Sequence, residues 1–194
     1  IGRAKEELEA LLQEPVQEIH SNSEAVNLHN GKYLLGTNAA LHRVDWADLI
    51  FFADYDQELY AGGYRSEEIA LSNLIRATRI TNNRARASGQ VVIQTHSHKS
   101  ELLRLITTGQ FSSWSELHQQ RRKLLSLPPY GSYAEVSGPG AKKYVDLIDV
   151  EEGIEILGPI EESWLIKSDS HSLLLGTLSK VERPKERIRI AING

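Results

Sequence analysis

Three groups of residues in this sequence have the types and spacing that phosphate chemistry requires. The first is Gly36-Thr37, which follows the apolar segment Lys32 to Leu35. Ligands of open α/β sheets bind in the crevice beyond the carboxyl ends of the strands, so a strand ending in Gly-Thr is suited to a phosphate. The alternative is a turn that simply ends the strand. The sequence has no Gly-rich loop followed by Lys-Ser/Thr, and it therefore lacks a Walker A phosphate site of its own.

The second group consists of Arg76, Arg79 and Arg86, on the segment predicted to be helical from Ser66. Spacings of three and seven residues place them on one helix face. The guanidinium fork of arginine matches phosphate oxygens, and an arginine supplied across a cleft can stabilise the charge of phosphoryl transfer. The alternative is a solvated helix face whose arginines pair with acidic neighbours.

The third group is Asp54-Tyr55-Asp56, directly after the apolar segment Asp48 to Ala53. Paired carboxylates at the end of a strand can hold a metal ion or an arginine, and they can equally cap the next turn. His96 and His98 have a spacing that can ligate zinc, but no third ligand accompanies them, so no metal site is predicted there.

A basic cluster, Arg121, Arg122 and Lys123, lies in the segment from Ser113 to Pro128. This segment is predicted to be a helix with a Ser113/Glu116 capping box, and the two prolines at its end cannot continue the helix. Leucines along it are predicted to form an apolar side, namely Leu117, Leu124, Leu125 and Leu127.

The elements that must position these groups form two patterns. Before the basic helix, apolar strands alternate with helices, and Gln90 to Thr95 is the third such strand, which predicts a doubly wound parallel sheet. After Gly131 the pattern is a smaller α+β module with a short helix at Lys142 to Ile148. Its predicted strands are Ser132 to Ser137, Gly153 to Gly158, Trp164 to Lys167, Leu173 to Thr177 and Arg187 to Ile192. The predicted domains are 1–110, a helix and hinge at 111–131, and 132–194.

Composition limits the class of protein. The chain has 194 residues, 40% of them hydrophobic, and a net charge of −4, so it is globular and any basic surface must be local. It has no cysteine, which excludes disulfides and thiolate metal sites. No apolar run approaches the roughly 20 residues that span a bilayer, and we expect a cytoplasmic protein. Because the sequence contains no methionine, we expect it to be part of a longer polypeptide.

Together these segments resemble the family of the primosomal replication-restart helicase, primosomal protein N′ (PriA), which belongs to superfamily 2. The resemblance is carried by Gly89-Gln-Val-Val-Ile-Gln-Thr95, by the basic helix, and by Leu127-Pro-Pro-Tyr-Gly131 after it. The stretches 154–159 and 187–193 are similar to later strands of the family. The resemblance covers nearly the whole chain and implies a second RecA-like motor lobe followed by a C-terminal domain.

The sequence also departs from the family pattern. Gly36-Thr37 matches the opening of helicase motif V, but the Lys-Gly-His-Asp-Phe of the family becomes 42–46, His-Arg-Val-Asp-Trp. Arg76 and Arg79 match the arginines of motif VI, whereas Ile75 and Thr78 replace its glycines. The cysteine-rich zinc module is missing, so no zinc is expected.

The resemblance implies site residues and partners. Arg76 and Arg79 would be the catalytic arginines, and Gly36, Thr37, Asp54 and Asp56 would contact ATP/Mg when a first motor lobe is present. Arg121, Arg122 and Lys123 would contact DNA phosphates, and Tyr130 or Trp114 would stack on bases, unless these two rings pack within the hinge and the helix instead. Forked or single-stranded DNA, other primosome proteins and single-strand-binding protein would be the partners.

Two main functions follow from these expectations. The first is a DNA-binding primosome-assembly protein with an impaired motor, because backbone approach to phosphate favours the lost glycine and the lost lysine supplied charge. The second is the C-terminal half of an active 3′→5′ helicase. A protein–protein scaffold without DNA binding is a third possibility. Without Walker A, these residues alone are not expected to hydrolyse ATP.

Overall fold

The structure is a computed structural model that describes residues 2–19, 32–61, 63–83 and 89–193. It divides the chain into two compact units, Ile1–Ser100 and Glu101–Gly194. The basic helix and the Pro-Pro turn therefore belong to the second unit. Of the residues discussed above, Arg86 lies outside the described part of the chain. No helix in the described ranges is both long enough and apolar enough to cross a membrane.

The first unit contains four helices or helical turns and four short strands among its described residues. Its elements are α1 (Gly2–Leu12), β1 (Val16–Ile19), β2 (Tyr33–Gly36), a 3₁₀ helix (Asn38–His42), β3 (Leu49–Phe52), α2 (Tyr55–Leu59), α3 (Ser66–Thr81) and β4 (Gln90–Ile93). β1 pairs with β2, and β3 pairs with β4, both in parallel. α3 buries Ala77 and Ile80 together with Leu41 of the 3₁₀ helix, against apolar residues that include Ile50 and Val91.

The prediction of a mixed α/β architecture is confirmed, but the larger parallel sheet is not seen. In the described residues of the first unit the strands form two separate two-stranded sheets, and β4 pairs only with β3. A doubly wound sheet has helices on both faces, but Leu49 and Phe51 are each 55% exposed and Val92 is 41% exposed. A continuous run of apolar residues was therefore not sufficient for this prediction, because the run shows the composition of a strand and not which elements cover its second face.

The second unit is an antiparallel sheet covered by helices. Its elements are α4 (Glu101–Thr107), α5 (Phe111–Leu124), β5 (Ser132–Ser137), α6 (Ala141–Asp146), β6 (Ile154–Ile160), β7 (Ser163–Ser168), α7 (His171–Lys180) and β8 (Arg189–Asn193). The strand order is β6-β7-β5-β8. Val136, Ile166 and Leu174 are fully buried in its core, and the Tyr144 hydroxyl donates to the carbonyl of Leu178 at 2.8 Å, which joins α6 to α7.

Three predictions for this unit are wrong. Leu173 to Thr177 lies in helix α7, not in a strand, because the Ser170 side chain caps the helix by accepting from the amide of Leu173 at 3.1 Å. The helix α5 begins at Phe111, with Gln110 at the cap position, so Ser113 caps nothing. The predicted apolar side of this helix is not buried either, since Leu124 is 84% exposed and Leu125 is 53% exposed.

Candidate functional site

Gly36-Thr37 ends β2 at a point where the backbone is closely packed. A Cβ at Gly36 would lie 2.7 Å from the carbonyl oxygen of Ile19 and 2.7 Å from the Cβ of Ala40, so only glycine fits between β1 and the 3₁₀ helix. Thr37 is exposed, and its side chain makes no capping hydrogen bond to the 3₁₀ helix. Packing within the turn is thus sufficient to require this glycine, whether or not a phosphate binds there.

Asp54 and Asp56 lie at the carboxyl end of β3, next to the residues that follow β4. The Thr95 hydroxyl donates to Asp56 Oδ1 at 2.7 Å, and the His96 amide donates to Asp56 Oδ2 at 2.6 Å. Asp54 caps α2 by accepting from the amide of Gln57 at 3.4 Å. The carboxyl ends of β3 and β4 therefore meet, and both oxygens of Asp56 accept hydrogen bonds that hold the turn after β4 in place.

The pKa of Asp56 is lowered by the hydrogen bond from the Thr95 hydroxyl and then by that from the His96 amide. A carboxyl whose folded-state pKa is depressed stabilises the fold above its unfolded pKa, and this contribution is lost as pH falls through the folded pKa. We expect Asp56→Asn to be less stable than the unmodified chain at pH 6 and to approach it in stability below pH ~3.9. Urea unfolding at a series of pH values measures this. Thr95→Val, which removes one donor to Asp56, should lower stability in the same pH range. A loss of stability in Asp56→Asn that does not change with pH contradicts the role of these hydrogen bonds in lowering the pKa of Asp56.

Glu58 of α2 connects the segment after Thr37 to α3. The side-chain amides of Asn38 and Asn73 both donate to Glu58 Oε1. Burial raises the pKa of Glu58, and these two hydrogen bonds oppose that rise. Asn73 is itself buried, at 8% exposed. No feature of the sequence pattern identified this contact, because Glu58 lies in a short helix of five residues.

Arg76 and Arg79 are both exposed on α3. Arg79 lies in the last turn of the helix. That end of α3 adjoins the segments that lead into β3 and β4. Near β3, Asn83 Nδ2 donates to the carbonyl of Asp45 at 2.8 Å. Near β4, a Cβ at Gly89 would lie 2.4 Å from the carbonyl oxygen of Thr81. The structure thus places Arg79 toward the amino ends of these strands, while Asp54 and Asp56 lie at their carboxyl ends.

The three residues of the basic cluster have different surroundings. Arg122 lies partly buried and donates from Nε to His118 Nε2 at 3.1 Å and from Nη1 to the carbonyl of Pro128 at 3.0 Å, so it supports the turn after α5. Arg121 is exposed and pairs with Glu101 at 3.4 Å. Lys123 is exposed, and no described carboxylate pairs with it. Consecutive helical residues point about 100° apart, which is why the three do not form one basic face.

The aromatic candidates also differ. The Trp114 ring stacks on the ring of His118 with centroids 4.8 Å apart and an interplanar angle of 17°. Packing on its own helix therefore accounts for Trp114. Tyr130 follows the Pro-Pro turn and is 43% exposed, so its ring surface is accessible to a stacking base.

The second unit carries a group of basic residues that the sequence analysis missed. Arg183, Lys185, Arg187 and Arg189, which we call the cationic row, are all exposed. Among the described residues no carboxylate lies within salt-bridge distance of any of them, whereas other basic residues of the unit are paired. These pairs are Arg104–Glu101, Arg121–Glu101, Lys142–Asp146, Lys143–Glu186, Lys167–Glu155 and Lys180–Glu151.

The backbone under the cationic row is fixed to the turn before α6. The Gly140 amide donates to the carbonyl of Arg187 at 3.2 Å, and a Cβ at Gly138 would lie 2.9 Å from the same oxygen. Ile188 and Ile190 pack against the core, and Arg189 pairs with Ser137 in the sheet. The available signal in the sequence was a basic residue at every second position leading into an apolar strand.

The described residues contain no group of three or more His, Cys, Asp or Glu side chains that could hold a metal ion. Comparison of the chain with protein-family models and with curated proteins finds no match.

Proposed function

We propose that this chain is a DNA-binding replication-restart protein, related to superfamily-2 helicases and with an impaired motor. The observation that supports DNA binding is the cationic row. Four exposed basic residues, none in an ion pair with a described carboxylate, occupy alternate positions from 183 to 189 of a chain whose net charge is −4, and we expect them to attract a polyanion. Lys123 adds a fifth unpaired charge in the same unit, and Tyr130 supplies an accessible ring.

The proposal of a restart function rests on the sequence resemblance to the helicase family. The proposal of an impaired motor rests on the positions where the sequence departs from the family pattern. The loop 42–46 lacks the lysine and glycine of the family pattern. In addition, both oxygens of Asp56 accept internal hydrogen bonds, and holding the turn after β4 is sufficient to account for this residue without Mg²⁺. A RecA-like second lobe in the first unit remains part of this proposal.

Binding to forked and single-stranded DNA across a range of salt concentrations tests the proposal. We expect affinity to fall steeply with salt, with a slope of log K against log salt of about −3 to −5 for four to five phosphate contacts. Binding can be followed by fluorescence anisotropy with labelled forks. If the chain fails to bind DNA even at about 20 mM salt, below the range in which phosphate contacts are screened, the DNA-binding proposal is wrong and a protein–protein scaffold is favoured.

An active helicase is the second candidate, and the exposure of Arg76 and Arg79 favours it. Both guanidinium groups face outward, where a phosphate held by another lobe could reach them. DNA-stimulated ATP hydrolysis by a polypeptide that includes a first lobe, lost in Arg79→Ala, would establish this function in place of the impaired motor.

A further inference from the structure

The carboxylate of Glu58 lies between two features of the first unit that the sequence suggested for phosphate contact. Asn38, one of its two partners, directly follows Thr37 and begins the 3₁₀ helix. Asn73, the other, is in α3 and precedes Arg76 by one helical turn. Glu58 Oε1 therefore accepts from the residue directly after the Gly36-Thr37 turn and from a residue one helical turn before Arg76.

Breaking the hydrogen bond between Asn73 of α3 and Glu58 has a large cost in free energy. Asn73 is only 8% exposed, and a buried amide that loses its partner retains the full desolvation penalty. Asn38 is exposed and can exchange its partner for water with less cost. Glu58 is itself partly buried and lies close enough to Tyr55 to raise the pKa of that hydroxyl further, after the effect of burial. A displacement of Glu58 is thus transmitted to a buried group of α3.

We propose that Glu58 is a positioning residue that couples the Gly36-Thr37 turn to α3, so that opening of one element increases opening of the other. The shared acceptor Oε1 is the physical basis of this coupling, because both asparagines hold the same carboxylate in position. The proposal concerns the first unit alone and does not depend on DNA binding by the second.

Amide hydrogen exchange measured by NMR tests the coupling. In Asn38→Ala we expect the amides of Asn73 to Ala77 in α3 to exchange about two- to tenfold faster, the effect of losing one net hydrogen bond. In Asn73→Ala we expect a similar increase for the amide of Ala40, which donates to the carbonyl of Thr37 at 2.8 Å. In a Glu58→Ala background, Asn38→Ala should produce no further change in α3.

Two controls separate this effect from a general loss of stability. Ser72→Ala changes an exposed position of the same helix and should leave the Ala40 amide unaffected. Amides of Ala134 and Val136 in the second unit report any global change, and the comparison uses only conditions in which they are constant. Glu58→Gln keeps an acceptor at Oε1 and should preserve the coupling. Changes confined to the substituted element, or an Asn38→Ala effect that persists in Glu58→Ala, would overturn the proposal.

Discussion

Replacing the whole cationic row with glutamine is expected to weaken DNA binding about 100-fold at low salt and to make the slope of log K against log salt shallower by about 3. Each lysine or arginine that neutralises a phosphate releases counterions, so four lost contacts remove a large part of the salt-dependent term. The four side chains are exposed, and the fold should tolerate the change. Anisotropy titrations at several salt concentrations measure both quantities.

A matched pair of double variants tests whether position matters beyond charge. Arg187→Gln with Arg189→Gln removes two residues of the cationic row, and Lys142→Gln with Lys180→Gln removes two positive charges of the same unit that are already in ion pairs. Lys142 contacts Asp146 at 2.6 Å and Lys180 contacts Glu151 at 2.5 Å. We expect the first pair to weaken binding by roughly tenfold and the second pair to have little effect. Equal losses in both would mean that net charge, not the row, controls binding.

Leu174→Ala is expected to destabilise the second unit by about 3 kcal/mol. Leu174 is fully buried in the core beneath β5 and β7, so the shorter side chain loses transfer free energy and leaves a cavity. Since β8 and the cationic row belong to this unit, DNA binding should be lost over the same range of urea concentrations as the fold. Chemical unfolding followed by circular dichroism measures the change.

The neighbouring leucine provides the control for this variant. Leu175 is 42% exposed on the same helix, and Leu175→Ala should cost less than about 1 kcal/mol. A similar loss of stability for both variants would indicate that α7 is not anchored through Leu174. A loss below about 1 kcal/mol for Leu174→Ala would contradict the core described above.

Local sequence signals predicted most elements because the forces that define them act over a few residues. Apolar runs bounded by turn residues located β2, β3, β4 and β5, whereas α5 ends at Leu124, before the two prolines that predicted its end. Arrangements of this kind depend on backbone geometry that sequence patterns represent directly.

Contacts between distant residues were not predictable in the same way. The sequence places Arg122 beside Arg121 and Lys123, but its role depends on whether its guanidinium reaches the carbonyl of Pro128, which only the path of the turn decides. The run Leu173 to Leu175 is equally compatible with a strand and a helix, and the cap at Ser170 decides between them. The sequence analysis did not identify the cationic row because Glu182 and Glu186 alternate with its basic residues. Only the structure shows that Glu186 is already paired with Lys143.

The attachment of Arg187 to the Gly138–Gly140 turn affects how a ligand would bind. Basic tails that are unstructured before binding lose conformational entropy when they bind, and this loss reduces their affinity. Here the Gly140 amide donates to the carbonyl of Arg187, and Arg189 pairs with Ser137 in the sheet, so for these two residues mainly side-chain rotamers remain to be fixed. Binding should consequently show a small heat-capacity change and a favourable entropy dominated by released counterions, in contrast to coupled folding and binding.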